Sequence, residues 1–179
     1  WSWQAIFQEV LGAGAHAAPR EELEALAMSH LGEIPLGLDR NSLLDLLMSH
    51  CVEPGITDWG IVFIIDYPAS QAALAQQILD VAGEPRGARF ECYVDGTELA
   101  NGYWECGDAT ELRARFAEDN RLRQARGQSD RRPDEQLLEA LTAGLPPCAG
   151  VALGVDRLLA LKTGAQELDA VLSFAWSRS

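Results

Sequence analysis

The dipeptide Asp95-Gly96 falls between two runs of strand-forming residues, 89–94 and 97–105, and constrains this chain more than any other feature. A two-residue type I′ turn needs positive φ at both central positions, so Asp-Gly in this setting predicts a β-hairpin. Side chains alternate across a strand, so Asn101, Tyr103 and Glu105 share one face of the second arm. Glu98 is out of phase with them by one residue. Gly102 marks a candidate bulge or close backbone approach, and a bulge there would bring Glu98 round to the same side. That face would present two carboxylates, an amide and an aromatic ring, a set that suits a divalent cation or a substrate ammonium. The alternative is a solvated hairpin face whose acids have no chemical role, since charged outer faces are ordinary on antiparallel sheets.

Helical spacing surrounds the hairpin. Trp3, Ile6, Phe7, Val10 and Leu11 predict a first helix, ended by Gly12 and Gly14. Pro19 opens a second, with Leu23, Leu26, Ala27 and Leu31 as its buried stripe. Asp39 or Asn41 caps a third, which carries Leu43, Leu44, Leu46, Leu47 and Met48. Residues 52–55 read as a loop, 60–65 as a buried strand broken by Pro68, and 71–82 as helical or irregular. After the hairpin, Asp108 and Glu111 form a capping box for a long polar helix to about Arg126, with Leu112, Phe116 and Ala117 facing inward. Glu111–Arg115, Arg115–Asp119 and Asp119–Arg123 have ion-pair spacing. Half of the basic residues lie in 113–132, either as a patch for an acidic partner or as a solvated helix laced with ion pairs. A further helix over 134–143 stops at Gly144 and Pro146-Pro147. Residues 150–161 read as a glycine-punctuated buried strand running into a helix. Its glycines allow close approach of a ligand, and Arg157 at the helix start is placed for a phosphate. Residues 166–174 read as a short helix and a closing strand.

At 179 residues one domain with a sizeable core is expected. Its 47% hydrophobic and 23% charged content is that of a soluble globular protein, with no apolar run of membrane-spanning length and no signal-peptide pattern. A net charge of −13 repels nucleic acid unless a local basic patch overrides it. Cys51, Cys92, Cys106 and Cys148 form no Cys-x-x-Cys pair, and His16, His30 and His50 are not grouped near them. Reduced, mostly buried thiols in a cytoplasmic protein are expected rather than a zinc site. The architecture expected is α+β, an antiparallel sheet flanked by helices.

Two segments carry a resemblance. Glu98-Leu99-Ala100-Asn101-Gly102-Tyr103-Trp104-Glu105 resembles the Glu-Ile-Ala-Asn-Gly-Phe-x-Glu strand of class II lysyl-tRNA synthetases, with Tyr103 in place of Phe. Residues 150–157 resemble that family's third signature motif, an apolar Gly-rich strand ending in Asp-Arg, and 144–150 also fit. Within that superfamily the chain is more similar to the short EpmA-type (GenX, PoxA) paralogues. The similarity is carried by 39–44, Val52-Glu53-Pro54, the Pro68-Ala69-Ser70-Gln71 segment, Asp119-Asn120-Arg121 and Ala125-Arg126-Gly127. Ala152 stands where lysyl-tRNA synthetases carry Gly, which alters the shape of the amino-acid pocket.

The resemblance implies ATP- and Mg²⁺-dependent formation of an adenylate of (R)-β-lysine, or lysine, and its transfer to a lysine of elongation factor P rather than to tRNA. It implies that Glu98 holds Mg²⁺ and ATP, that Asn101, Tyr103 and Ala152 line the amino-acid pocket, and that Glu105 pairs with the substrate's side-chain ammonium. Gly154 would contact the nucleotide and Arg157 would clamp its γ-phosphate. No Ser/His/Asp or Cys/His triad is expected. The chain begins with Trp1 and lacks the family's first and second signature motifs. It therefore reads as a single class II synthetase-like catalytic domain, 1–179, without its N-terminal part and inactive alone, with homodimer formation left to a full-length protein. Two other readings are the corresponding part of a true lysyl-tRNA synthetase and a non-catalytic synthetase-like binding or regulatory module.

Overall fold

The computed structural model describes residues 1–176. Its α+β architecture is a mostly antiparallel sheet flanked by helices, built around the hairpin. In chain order the helical N-terminal part comprises α1 (Trp3–Leu11), α2 (Arg20–Leu31) and α3 (Arg40–Leu47). α3 continues through a π-helical turn, Met48–Val52, into the single turn α4 (Glu53–Gly55). The expected loop at 52–55 is thus helical. Ser2 caps α1 through Ala5 N, and Asp39 caps α3 through Ser42 N at 2.9 Å. The apolar stripes of α1, α2 and α3 meet in one core with Trp3, Ile6, Phe7, Leu23, Leu43, Leu44 and Leu47.

The sheet has the order β1 (Ile61–Pro68), β3 (Pro85–Val94), β4 (Thr97–Trp104), β5 (Ala149–Leu153), and the short β2 (Gln77–Leu79) pairs with the start of β3 on the edge opposite β1, the edge that β4 occupies further along. All of these named pairs are antiparallel. Asp95 and Gly96 both have positive φ, 48° and 74°, as the turn requires. The bulge, however, sits earlier than Gly102. Tyr93 pairs with Glu98 and Cys92 with Ala100, so Leu99 is the extra residue. The consequence is the expected one: Glu98 faces the same side as Asn101. Gly102 has a different role, because a Cβ there would lie 2.5 Å from the Phe90 ring and 2.8 Å from the Gly150 carbonyl oxygen. Gly102→Ala is expected to cost about 1–3 kcal/mol by forcing β3 and β5 away from β4, seen as a lowered thermal midpoint.

The two sheet faces differ. Val62, Ile64 and Tyr93 point inward and join the helical core. On the outer face Ile61, Phe63, Ile65, Val151 and Leu153 are exposed. β5 is therefore exposed over most of its length, where its glycine-punctuated apolar sequence predicts burial.

The chain closes with α5 (Ala109–Ala125), α6 (Glu135–Ala143) and α7 (Val155–Thr163). Asp108 caps α5 through Thr110 N and Glu111 N, but Glu111 turns to Arg115 rather than completing the box. Leu112 is buried and packs with Cys106, Leu138 and Leu141 in a second core, whereas Ala117 is exposed. The predicted closing strand at 166–174 is absent. Those residues form turns around a 3₁₀ turn, Leu168–Ala170, and Phe174 is 96% exposed. A terminal strand needs a sheet edge to pair with, and this segment pairs with none of the five strands.

Candidate active site

α1 and α3 cover the inner face of the sheet at its β1 end and leave it open toward β5. The polar residues collect at that boundary, around Glu91. This carboxylate is buried, 7% exposed, and accepts hydrogen bonds at both oxygens. Its Oε2 receives the Tyr67 hydroxyl at 2.5 Å and the Tyr93 hydroxyl at 2.6 Å. Its Oε1 receives the Asn101 Nδ2 amide at 2.9 Å and the Arg89 guanidinium. Arg89 also donates to the Gln71 carbonyl at 2.8 Å and stacks 4.4 Å over the Tyr67 ring. Burial, above all other causes, pushes both phenols far above the ordinary tyrosine range, so they remain donors to the carboxylate. A cavity of about 500 Å³ opens over this cluster, lined in part by Asn41, Asp45, Glu53, Arg89, Glu91 and Glu98.

The residues singled out by sequence fall on or beside this face. Glu98 lines the cavity, and its backbone carbonyl and Oε2 lie 2.6 and 3.4 Å from Arg157 Nη1. These two residues are 59 apart in sequence and are joined because β5 pairs with β4 and α7 follows at once. The Gly154 amide donates to the Leu99 carbonyl at 2.9 Å, which seats the start of α7 against the bulge. Asn101 faces Ala152 across the β4–β5 ladder, and Tyr103 faces Gly150. Asn101 Oδ1 is buried without a hydrogen-bond partner among the described residues. Arg89 lies 6.0 Å from the Tyr103 ring centroid. Glu105 lies further along the same face. A Cβ on Gly150 would overlap its carboxylate, so that glycine makes room for the acid. Glu105 lines a separate cavity with Trp104, Asp108 and Leu145, rather than the one over Glu91.

The profile of the class II tRNA synthetases (D, K and N) matches residues 24–178. This chain belongs to that family. Among its curated relatives, an elongation factor P–(R)-β-lysine ligase of Mannheimia succiniciproducens is 44% identical over 97% of this chain and 53% of its own length. Proteins of the same name from Salmonella gallinarum and Salmonella paratyphi B are each 45% identical, over 99% of this chain and 55% of theirs. The chain thus spans about half the length of the curated relatives it matches.

In this synthetase-family chain the residue that sequence reasoning missed is Glu91, with its donors Arg89, Tyr67 and Tyr93. The available signal was the Arg89, Glu91, Tyr93 alternation on the first hairpin arm, which places all three on the face shared with Asn101. For a divalent cation the donor set is incomplete by itself, since no group of three or more His, Cys, Asp or Glu among the described residues is arranged to hold one. Glu98 nevertheless fits Mg²⁺, which is bound through one or two carboxylates with substrate phosphates and water completing the shell. No helix among the described residues is long and apolar enough to cross a membrane.

Burial also pushes the Glu53 carboxyl above its ordinary value, and the charges of Glu91 and Glu98 add to the effect. Tyr93 Oη lies 3.3 Å from it. An acid raised in the folded state stabilises the fold while protonated, and that contribution is lost as pH rises from the unfolded value through the folded one. Glu53→Gln should therefore gain stability relative to the parent as pH rises across the carboxylate range, with the gap flat above it. Urea titrations at a series of pH values read this directly, and a pH-independent gap would contradict it.

Proposed function

We propose that this chain is part of the catalytic domain of an ATP-dependent ligase. The enzyme activates (R)-β-lysine, or lysine, as an adenylate and transfers it to a lysine of elongation factor P. Support comes from the names of the similar proteins and from the chemistry of the inner sheet face. The observation that carries the reading is the meeting of Arg157 with Glu98 beside Asn101, whose Oδ1 is buried and unsatisfied. A guanidinium for phosphate, carboxylates for ammonium groups and an unsatisfied amide acceptor are the charged and polar groups that an amino acid and a nucleotide need.

In the first step a substrate carboxylate oxygen attacks the α-phosphorus of ATP, and the bond to pyrophosphate breaks. Arg157 holds the γ-phosphate and offsets charge on that leaving group. Asn101 and Tyr103 orient the amino acid, Glu105 pairs with its side-chain ammonium, and Gly154 lets the nucleotide approach the backbone. Glu98 would hold Mg²⁺, which would supply further charge neutralisation. In the second step the acceptor lysine's amine attacks the activated carbonyl, an amide forms and AMP leaves. No protein nucleophile is needed, and the rate gain comes from positioning and electrostatics. The Ala152 methyl, opposite Asn101, would tune the pocket between α- and β-amino acids by about 1–3 kcal/mol.

The test is amino-acid-dependent ATP–pyrophosphate exchange by the full-length protein that carries this chain, followed by transfer assays. Exchange with (R)-β-lysine and a lysyl-sized mass gain on elongation factor P are the expected results. Charging of tRNA instead would make it a lysyl-tRNA synthetase, and nucleotide binding without exchange would make it a non-catalytic module. Residues 1–179 alone should give no pyrophosphate, and a burst from them would refute the partial-domain reading.

A further inference from the structure

The arginines of 113–132 divide into two groups. Arg113 pairs with Glu135, Arg115 with Glu111, Arg121 with Glu118 and Arg126 with Asp39. Arg123, Arg131 and Arg132 make no ion pair among the described residues, and the expected Asp119–Arg123 and Arg115–Asp119 pairs do not form. These three unpaired cations line one cavity of about 510 Å³, floored by Phe116, Leu122 and Pro133.

The loop that bears two of them is held in place. The Asn120 amide brackets the Arg131 backbone, donating to its carbonyl at 2.7 Å and accepting from its N–H at 2.8 Å. Arg123 Nε donates to the Ser129 carbonyl at 2.9 Å, and Gln124 to Asp130 at 2.9 Å. The loop backbone is strapped back onto α5, so an anion that meets Arg131 and Arg132 has their side chains left to order but not the loop. Asp119 and Asp134 also line the cavity, but Asp134 is engaged in capping α6 through Leu137 N. Unpaired cations gathered in a chain of net charge −13 form a local exception to its field. The cavity is also adjacent to the candidate active site, because Asn41 lines both.

We propose that this arginine-lined cavity docks a carboxylate-rich segment of the protein acceptor, a proposal that rests on the ligase reading above for the acceptor's identity. A short acidic peptide fits a compact cavity with an apolar floor and bidentate guanidinium donors. A nucleic acid would need a longer basic track, and the other arginines of 113–132 are already paired with carboxylates.

The decisive variant is R131E/R132E in the full-length protein, with R131Q/R132Q as a milder second form. Both sites are exposed surface positions, and an unchanged thermal midpoint confirms folding. The expected result is a KM for elongation factor P raised at least tenfold, with pyrophosphate exchange unchanged. Intact exchange with an unchanged acceptor KM in both variants overturns the proposal. If the parent shows no exchange, the ligase reading fails, and a second arm judges the cavity: fluorescence anisotropy of residues 1–179 with a labelled hexaglutamate peptide at low salt. Binding weakened at least tenfold by either variant upholds an acidic-peptide site. No binding, or binding indifferent to both variants, overturns it, as does tighter binding of a hexathymidylate of similar charge.

Discussion

Replacing Glu91 with alanine should lower folding stability by about 3–5 kcal/mol, read as a reduced urea midpoint at unchanged m-value. The carboxylate is the shared acceptor of two buried phenols, one amide and one guanidinium. Truncation leaves Arg89, only 17% exposed at its side chain, without its counter-charge inside the sheet-to-helix boundary. It also strands the almost fully buried Tyr67 hydroxyl and leaves the Tyr93 hydroxyl only the longer contact to Glu53 at 3.3 Å. The cost of a buried group left unpaired exceeds the net value of the bond it made, which is why one carboxylate has so large an effect. Glu91→Gln keeps an acceptor for the tyrosines but removes the charge facing Arg89, so it should fall between parent and alanine variant. A loss under about 1 kcal/mol for Glu91→Ala would mean that water from the adjoining cavity satisfies these donors and that Glu91 does not organise the face.

Arg157→Ala in the full-length protein should reduce pyrophosphate exchange by about 10²–10³-fold while leaving the fold intact, as for removal of one donor to a developing charge. Stability should change little. The Arg157–Glu98 pair is solvent-exposed at 44% and 36% of its side chains, and exposed pairs contribute about 0–1 kcal/mol. Arg157→Lys keeps the charge but loses the planar fork, so it should recover only part of the activity. Exchange within threefold of the parent for Arg157→Ala would remove this residue from the proposed chemistry. A large stability loss would show that its bond to the Glu98 carbonyl is structural.

Local rules made much of this molecule legible in the sequence. The Asp95-Gly96 turn needs only two backbone dihedral pairs, and Asp39 and Asp108 need only the free N–H groups of the next turn, so short-range chemistry specifies them. The hydrophobic period placed the core stripes of α1 and α3 for the same reason. Family motifs at 98–105 and 150–157 further pointed to a class II synthetase, a membership that the profile match over 24–178 shows.

Other features depend on partners remote in sequence, and only the tertiary structure decided them. Leu99, not Gly102, is the bulged residue: Gly102 stays in register with Phe90 and Val151, and its missing side chain makes room for the Phe90 ring and the Gly150 carbonyl. β5 reads as buried from its apolar letters but lies exposed, since burial requires a neighbour and no local pattern names one. By its letters Glu91 is only one alternating acid in a strand. Its weight comes from Tyr67 on β1 and Asn101 on β4 converging on one carboxylate. The ion-pair spacing of α5 could not foresee that Arg126 would reach Asp39, 87 residues away, while Arg123 stayed unpaired. Backbone turns and caps are governed by contacts within a few residues and can be read from the chain; which polar groups share a buried acceptor, and which cations are left over, is governed by long-range packing and emerges only when the sheet and helices are assembled.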